Sequence, residues 1–281
     1  MDKIETVAVT GAAGHVGGRL SEALAARGYT VRPLTRNDGD VGDRAAMLRA
    51  LDGVEAAYYL VHSLDSADFE AAERRAAREF AAAARERRLT RLIYLGGIVH
   101  GDDLSPHLRS RREVGEILRA SGVPTVELRA SIVIGDGSAS YELVKTLVRC
   151  LPTVVAPDWL DHLAQPIAVA DVVEYLIAAL DVPLDGEATY EIGGAERMRY
   201  RDLVNAVARR LDRPERRFTL PTPPLPALPS QLAPLLPDGM LVPIHLVESL
   251  RCDSDVRDDA ALRDFELRPL GLAAALDAVQ A

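Results

Sequence analysis

A run of apolar residues, Ile4 to Val9, ends in Thr10 and passes directly into Gly11-Ala-Ala-Gly14-His15-Val16-Gly17. This pattern predicts a buried strand, a tight turn and a helix. Each glycine has a mechanical task. Gly11 lets the chain turn off the strand, Gly14 lets the backbone approach a ligand with no side chain in the way, and Gly17 lets the helix pack closely on the sheet. The helix start then offers free N–H groups and partial positive charge, which suits a pyrophosphate. In its strand–turn–helix context the spacing reads as a dinucleotide-binding turn, with Ala13, His15 and Val16 beside the glycines. A purely structural turn is the competing reading.

The rest of the chain continues the alternation. Strands are expected at Thr30–Thr35, Glu55–Val61, Arg91–Leu95, Thr125–Ala130 and Thr189–Ile192. Helices are expected at Val16–Arg27, Arg44–Leu51 (capped by Asp43), Asp68–Arg88, Leu108–Ala120, Asp171–Leu180 and Tyr200–Leu211. Strands spaced by helices imply an α/β fold with a Rossmann-type doubly wound parallel sheet. Residues 1–194 would form this NAD(P)-binding domain, with 131–166 contributing to the substrate pocket. Residues 195–281 would form a small C-terminal substrate or lid lobe. Seven prolines between 221 and 237 exclude a regular helix or central strand there, and the leucines among them argue against a solvated linker.

Composition narrows the function. With 48% hydrophobic and 27% charged residues the chain is an ordinary globule, and its net charge of −9 argues against nucleic acid. Cys150 and Cys252 make no metal or disulfide pattern, and no metal-ligand spacing is present. No signal peptide and no apolar run of membrane-spanning length is visible, so a cytoplasmic protein is expected.

Several stretches resemble the atypical short-chain dehydrogenase/reductases of the NmrA-like branch, in particular its bacterial NAD-dependent epimerase/dehydratase-like subgroup. They are Thr10–Gly17, Tyr58–Ser63, Tyr94–Gly97, Leu104–Arg111, Gln165–Ile167 and Glu248–Arg251. The resemblance implies the fold and a nicotinamide cofactor, and fixes the reaction far less well. It makes Asp40-Val41 similar to the family's adenine-binding turn. It sets Val61 and His62 at a strand end near the cofactor ribose, with a structural histidine as the equal alternative.

The second strand ends Leu34-Thr35-Arg36, where an acidic residue would favour NAD. Arg36 can instead pair with a 2′-phosphate, with Arg32 assisting, so NADP(H) is expected and NAD(H) is the alternative. The competing reading of Arg36 is a solvated surface arginine.

The superfamily's usual Ser–Tyr–Lys relay would fall at the end of Arg91–Leu95 and the start of the next helix. Here Gly96 and Gly97 occupy the serine position, and His107 and Arg111 stand where Tyr-x-x-x-Lys would be. His107 can donate a proton and Arg111 can hold a ribose. A capping His107 is the bland reading. A literal Tyr141-x-x-x-Lys145 lies beyond an intervening strand and reads as a decoy, although Tyr141 could line the pocket. His100, Asp102 and Asp103 read as a surface loop, and Trp159 and His162 as pocket wall or core.

The sequence thus favours an NADP(H)-dependent reductase of a small hydrophobic or aromatic carbonyl, quinone or enone. A non-catalytic NAD(P)-binding redox sensor is the alternative, as is a non-redox isomerase, epimerase or lyase that retains the cofactor. The expected partner is a small-molecule substrate, and the chain would be a monomer or homodimer.

Overall fold

The computed structural model describes residues 4–61, 68–150, 153–155, 158–215, 217–219 and 249–279. Strand β1 (Thr6–Thr10) leads into α1 (His15–Ala26), β2 (Thr30–Leu34) into α2 (Arg44–Ala50), and β3 (Ala56–Tyr59) into α3 (Phe69–Glu86). β4 (Arg91–Gly97) leads into α4 (Pro106–Arg119), and β5 (Thr125–Ala130) into a broken stretch. That stretch holds β6 (Val133–Ile134), α5 (Ala139–Cys150), β7 (Thr153–Val155), β8 (Leu163–Ala164) and β9 (Ile167–Ala168). Then come α6 (Val169–Ala178), β10 (Glu187–Ile192), β11 (Met198–Arg199), α7 (Tyr200–Arg210), β12 (Arg217–Thr219), α8 (Ala260–Asp264) and α9 (Leu272–Asp277).

Six strands form one sheet in the order β10-β5-β4-β3-β1-β2, and every neighbouring pair is parallel. The chain steps outward from β1 to β2, then returns across β1 to lay down β3. The carboxyl ends of β1 and β3 therefore flank the point where the winding reverses, which is where such sheets bind ligands. All four residues of β3 are buried. A short continuous apolar strand is what a parallel sheet covered on both faces requires.

One face packs Leu20 and Leu24 of α1 and Val172 and Leu176 of α6 on the sheet. The other packs Met47 of α2, Ala77 and Phe80 of α3, and Val114 and Leu118 of α4. A separate cluster joins Ile132 and Ile134 to Leu143 and Val148 of α5, Leu203 and Val207 of α7, and Leu276 of α9. It draws on residues from both sides of position 194, and β11 pairs antiparallel with β8.

The strand and helix expectations hold within a few residues. α4 begins earlier than expected, because Ser105 caps it (Oγ accepts from the Leu108 N–H at 3.2 Å) and Pro106 suits its first turn. The short pairings β6–β9 and β7–β12 have no counterpart in the sequence reading, since each spans only two or three residues. The proline-rich stretch 221–237 lies outside the described residues. Among the described residues no helix is long and apolar enough to cross a membrane.

Candidate active site

Gly11 adopts φ +67°, a conformation that favours glycine, and a Cβ there would lie 3.0 Å from the Leu60 carbonyl oxygen. A Cβ on Gly17 would sit 2.3 Å from the Gly11 oxygen, so only hydrogen fits where α1 crosses the turn. Gly14 occupies the N-cap position without a side-chain cap, and the first turn of α1 has no acidic residue. The helix's own first turn thus supplies no carboxylate to its positive end. Thr10 stitches the turn to β3: its hydroxyl donates to the Tyr58 oxygen (3.0 Å) and accepts from the Leu60 N–H (2.9 Å). Sequence reasoning gave Thr10 no part in this.

Beyond β2, Thr35 caps a short 3-10 turn, Arg36–Asp38, and its backbone N–H and hydroxyl both donate to the Asp38 carboxylate at 2.8 Å. The Thr35 N–H and then its hydroxyl hold the Asp38 carboxyl below the usual carboxylate range. Arg36 is exposed on this turn. Arg32 is not available beside it, a correction to the sequence reading. Its guanidinium donates to the Ala50 and Asp52 carbonyls at 2.8 and 2.6 Å, tying β2 to the end of α2. Asp40 accepts from the Gly42 N–H at 2.8 Å, closing a tight turn, and Val41 and Val61 pack against the α2–α3–α4 core. His62 lies outside the described residues.

At the end of β4, a Cβ on Gly96 would meet the Tyr94 ring at 3.1 Å and the Glu127 carboxylate at 3.3 Å. The absent serine could not be restored there without moving both neighbours. Arg111 is buried under this edge. Its guanidinium donates to the Leu95 carbonyl (2.9 Å) and to that of Val61 (3.4 Å), stacks 5.1 Å from the Tyr94 ring centroid, and lies 3.8 Å from Glu73. Glu73 is itself buried and accepts from the Ser110 hydroxyl. Burial pushes the Tyr94 hydroxyl up to about 12, the Arg111 charge opposing it. Arg111 thus pins the carboxyl ends of β3 and β4 together.

Gly11, Gly14, His15, Val16, Gly17, Gly96, Gly97, His107 and Arg111 all line one cavity of about 410 Å³. Ala13, Thr35, Arg36, Asp40, Val41 and Val61 lie off its lining. Away from the turn its walls are mainly apolar, with Leu95, Ile98, Leu108, Ile132, Leu143 and Leu250 among them. His15 has its Nδ1 3.0 Å from Arg19, and burial, then the Arg19 charge, lowers its pKa.

Tyr141, expected to line the pocket, does not. It is 2% exposed inside the α5–α7 cluster with Lys145 4.9 Å over its ring, and Ser140 and Leu143 reach the cavity instead. Helical geometry turns residue 141 away from residues 140 and 143.

The far wall comes from Ser249, Leu250, Cys252, Asp253 and Ser254; Leu250 packs in the α5–α7 cluster and Ser254 lies within hydrogen-bond distance of Ser131 and Tyr200. The stretch Glu248–Arg251 was its only sequence signal. Two histidines hold this segment. His100 Nε2 donates to the Asp255 carbonyl at 2.8 Å, and His162 Nδ1 lies 2.9 Å from Asp253. His100 therefore belongs to a tether rather than to a free surface loop. Among the described residues no cluster of His, Cys, Asp or Glu could hold a metal ion.

The sequence profile of the NmrA-like family matches residues 3–261. No curated protein matches the chain. Solved structures share its fold. MoeE5, solved with UDP-glucose and NAD, is 17% identical, with a TM-score of 0.71 over 97% of this chain and 96% of that one. The UDP-glucose 4-epimerase of Thermotoga maritima, solved with UDP-glucose, is 16% identical, with a TM-score of 0.70 over 96% of both chains. DesIV, a dTDP-glucose 4,6-dehydratase of Streptomyces venezuelae, is 18% identical, with a TM-score of 0.71 over 96% of this chain and 94% of that one. At these identities the likeness is one of fold, and the profile match decides the family: the chain belongs to the NmrA-like family.

Proposed function

We propose that this protein is an NADP(H)-dependent reductase of a small, uncharged, hydrophobic or aromatic carbonyl, quinone or enone. The observation that carries the reading is the single cavity that joins an uncapped helix N-terminus to an apolar chamber. The turn fits a dinucleotide: a Cβ at Gly17 is excluded, and the first N–H groups of α1 have no intrahelical partner. Arg36, exposed beyond β2, is the residue proposed to meet a 2′-phosphate, with Thr35 shaping its turn and Asp40-Val41 meeting the adenine. Residues 1–194 are read as the cofactor domain and 195–281 as the lobe that completes the chamber with 131–166.

The bound dinucleotide would supply a hydride to the substrate. The protein's part is orientation and exclusion of water. Gly96 and Gly97 present bare backbone to the cavity. Arg111 keeps the two strand ends in register. His107, at the first turn of α4, is proposed to deliver the proton that a carbonyl oxygen takes up as its carbon accepts hydride.

Sugar nucleotides, held by two of the solved relatives, are a poor fit. A diphosphate needs cations or helix N-termini. Among the described lining residues Arg111 is the only Lys or Arg, and two of its nitrogens already bond carbonyl groups. The sequence from Leu220 to Glu248 contains no Lys or Arg at all.

Loss of Ser, Tyr and Lys together favours a second reading, a redox sensor that binds the cofactor without turnover. An NADPH-oxidation assay against a panel of quinones and enones separates the two. Turnover that falls at least tenfold in His107→Ala supports the reductase with His107 as its proton donor. NADPH binding with no turnover on any acceptor supports the sensor.

A further inference from the structure

The glycines that line the cavity differ in what demands them. Gly11 and Gly137 adopt φ +67° and +83°, which favour glycine. A Cβ on Gly17 would collide with the Gly11 oxygen. One on Gly14 would come within 3.1 Å of that oxygen, and one on Gly96 within 3.1 Å of the Tyr94 ring. Gly97 is the exception. Its φ is not positive. Its chain neighbours apart, the nearest atom a Cβ would meet among the described residues is Leu108 Cδ2 at 3.6 Å, an ordinary van der Waals contact.

Gly97 does not mark an irregular strand either. It ends β4 in register, opposite Ala130 of β5, and the Ile98 N–H continues the ladder to the Ala130 carbonyl at 3.0 Å. A glycine in a regular strand weakens it, through backbone entropy and the absence of a packing side chain. Among the described residues nothing in the fold offsets that loss at Gly97. Such a glycine marks a place where a ligand or another stretch of backbone comes close. Gly97 lies on the cavity lining, with His107 and Leu108.

We propose that Gly97 is a specificity-determining residue of this site: the flat ring of an uncharged aromatic carbonyl compound lies against its bare backbone, in the space a methyl group would fill. Leu95 and Leu108, both on the lining, offer apolar surface to the same ring. Gly96 and Gly97 then have different tasks. Gly96 is small because Tyr94 and Glu127 crowd it, and Gly97 because the ligand does. The inference rests on the reductase reading for the reaction and deepens it by giving the substrate a shape, although ligand binding can be read without turnover.

The test uses the full-length protein and calorimetric titration with 2-acetylnaphthalene, a flat ketone that, unlike a quinone, does not arylate the Cys252 thiol on the lining. Gly97→Ala should melt no lower than the wild type, since the backbone there suits alanine. Its affinity for the ketone should fall about tenfold or more relative to its affinity for NADPH, because the added methyl overpacks the contact. Gly97→Ser, with the same Cβ, should show the same fall. Equal ketone affinity in the wild type and both variants overturns the proposal, and so does failure of the wild type to bind the ketone. An equal loss of NADPH affinity would give the face to the nicotinamide ring, and a lowered melting temperature would give it to the protein's own chain; either result overturns the proposal. Titration of the wild type with NADPH keeps the two readings apart. Ketone binding that Gly97→Ala weakens, without NADPH binding, would leave the role of Gly97 standing and remove the reductase; NADPH binding without ketone binding would do the reverse.

Discussion

The two ends of the cavity are built on different principles. The turn end is local: Thr10 to Gly17 follow one another in the chain, and their arrangement is set by backbone sterics at Gly11 and Gly17. The chamber end is assembled from four remote segments, around residues 96–111, 131–143, 200 and 249–254. Hydroxyl contacts and two histidine tethers hold it together. A backbone-determined end tolerates few substitutions, whereas a side-chain-determined end can change its ligand while the sheet stays intact.

The largest expected effect lies at the junction of the two ends. Arg111→Ala would free the carbonyls of Val61 and Leu95 and take the Arg111 charge away from the buried Glu73. Removing one partner of such a buried pair typically costs about 3–5 kcal/mol. Urea denaturation should show that loss; a change below about 1 kcal/mol would mean that Arg111 does not pin the strands.

Gly17→Ala comes next. The new methyl would collide with the Gly11 carbonyl oxygen, so α1 must shift, at roughly 1–3 kcal/mol. Cofactor affinity should fall with stability. A variant with full stability and full affinity would break the claim that sterics define this end.

The pH dependence is smaller. His15 has a folded pKa below its ordinary value, from burial and then from Arg19. The neutral ring therefore supports the fold above the unfolded pKa, about 6.5. That support is lost as the pH falls below it toward the folded value. Thermal melts at pH 7.5 and 5.5 should show a larger drop for the wild type than for His15→Gln. Equal drops would remove His15 as the cause.

The smallest effect is expected at Tyr141→Phe. The ring is core, and its contact with Lys145 survives loss of the hydroxyl. Stability should change little, within about 0.5 kcal/mol, and so should any NADPH-dependent turnover that the assay detects. A large loss of turnover at unchanged stability would return this tyrosine to the site.

The same contrast explains what could be read from the chain. The glycine spacing and the strand–helix alternation are local signals, so the sheet and the turn were legible. His107 and Arg111 share one face of α4 through their helical spacing, and both line the cavity. Arg32 was misjudged because its partners, the carbonyls of Ala50 and Asp52, lie across a loop that periodicity does not describe. Tyr141 was misjudged because a strand-end loop gave no indication of which face α5 would bury. Ser131, Ser254 and Tyr200 meet only through long-range packing, and no spacing in the sequence announces them.

The central claim is that the turn end holds a phosphorylated nicotinamide dinucleotide. Calorimetric titration with NADPH, NADP+, NADH and NAD+, on the wild type and on Arg36→Ala, tests it most directly. The account predicts that NADPH binds most tightly, and that Arg36→Ala weakens it about 10- to 100-fold with NADH little changed. Binding of none of the four would contradict the account, and equal NADPH affinity in wild type and Arg36→Ala would contradict the role given to Arg36.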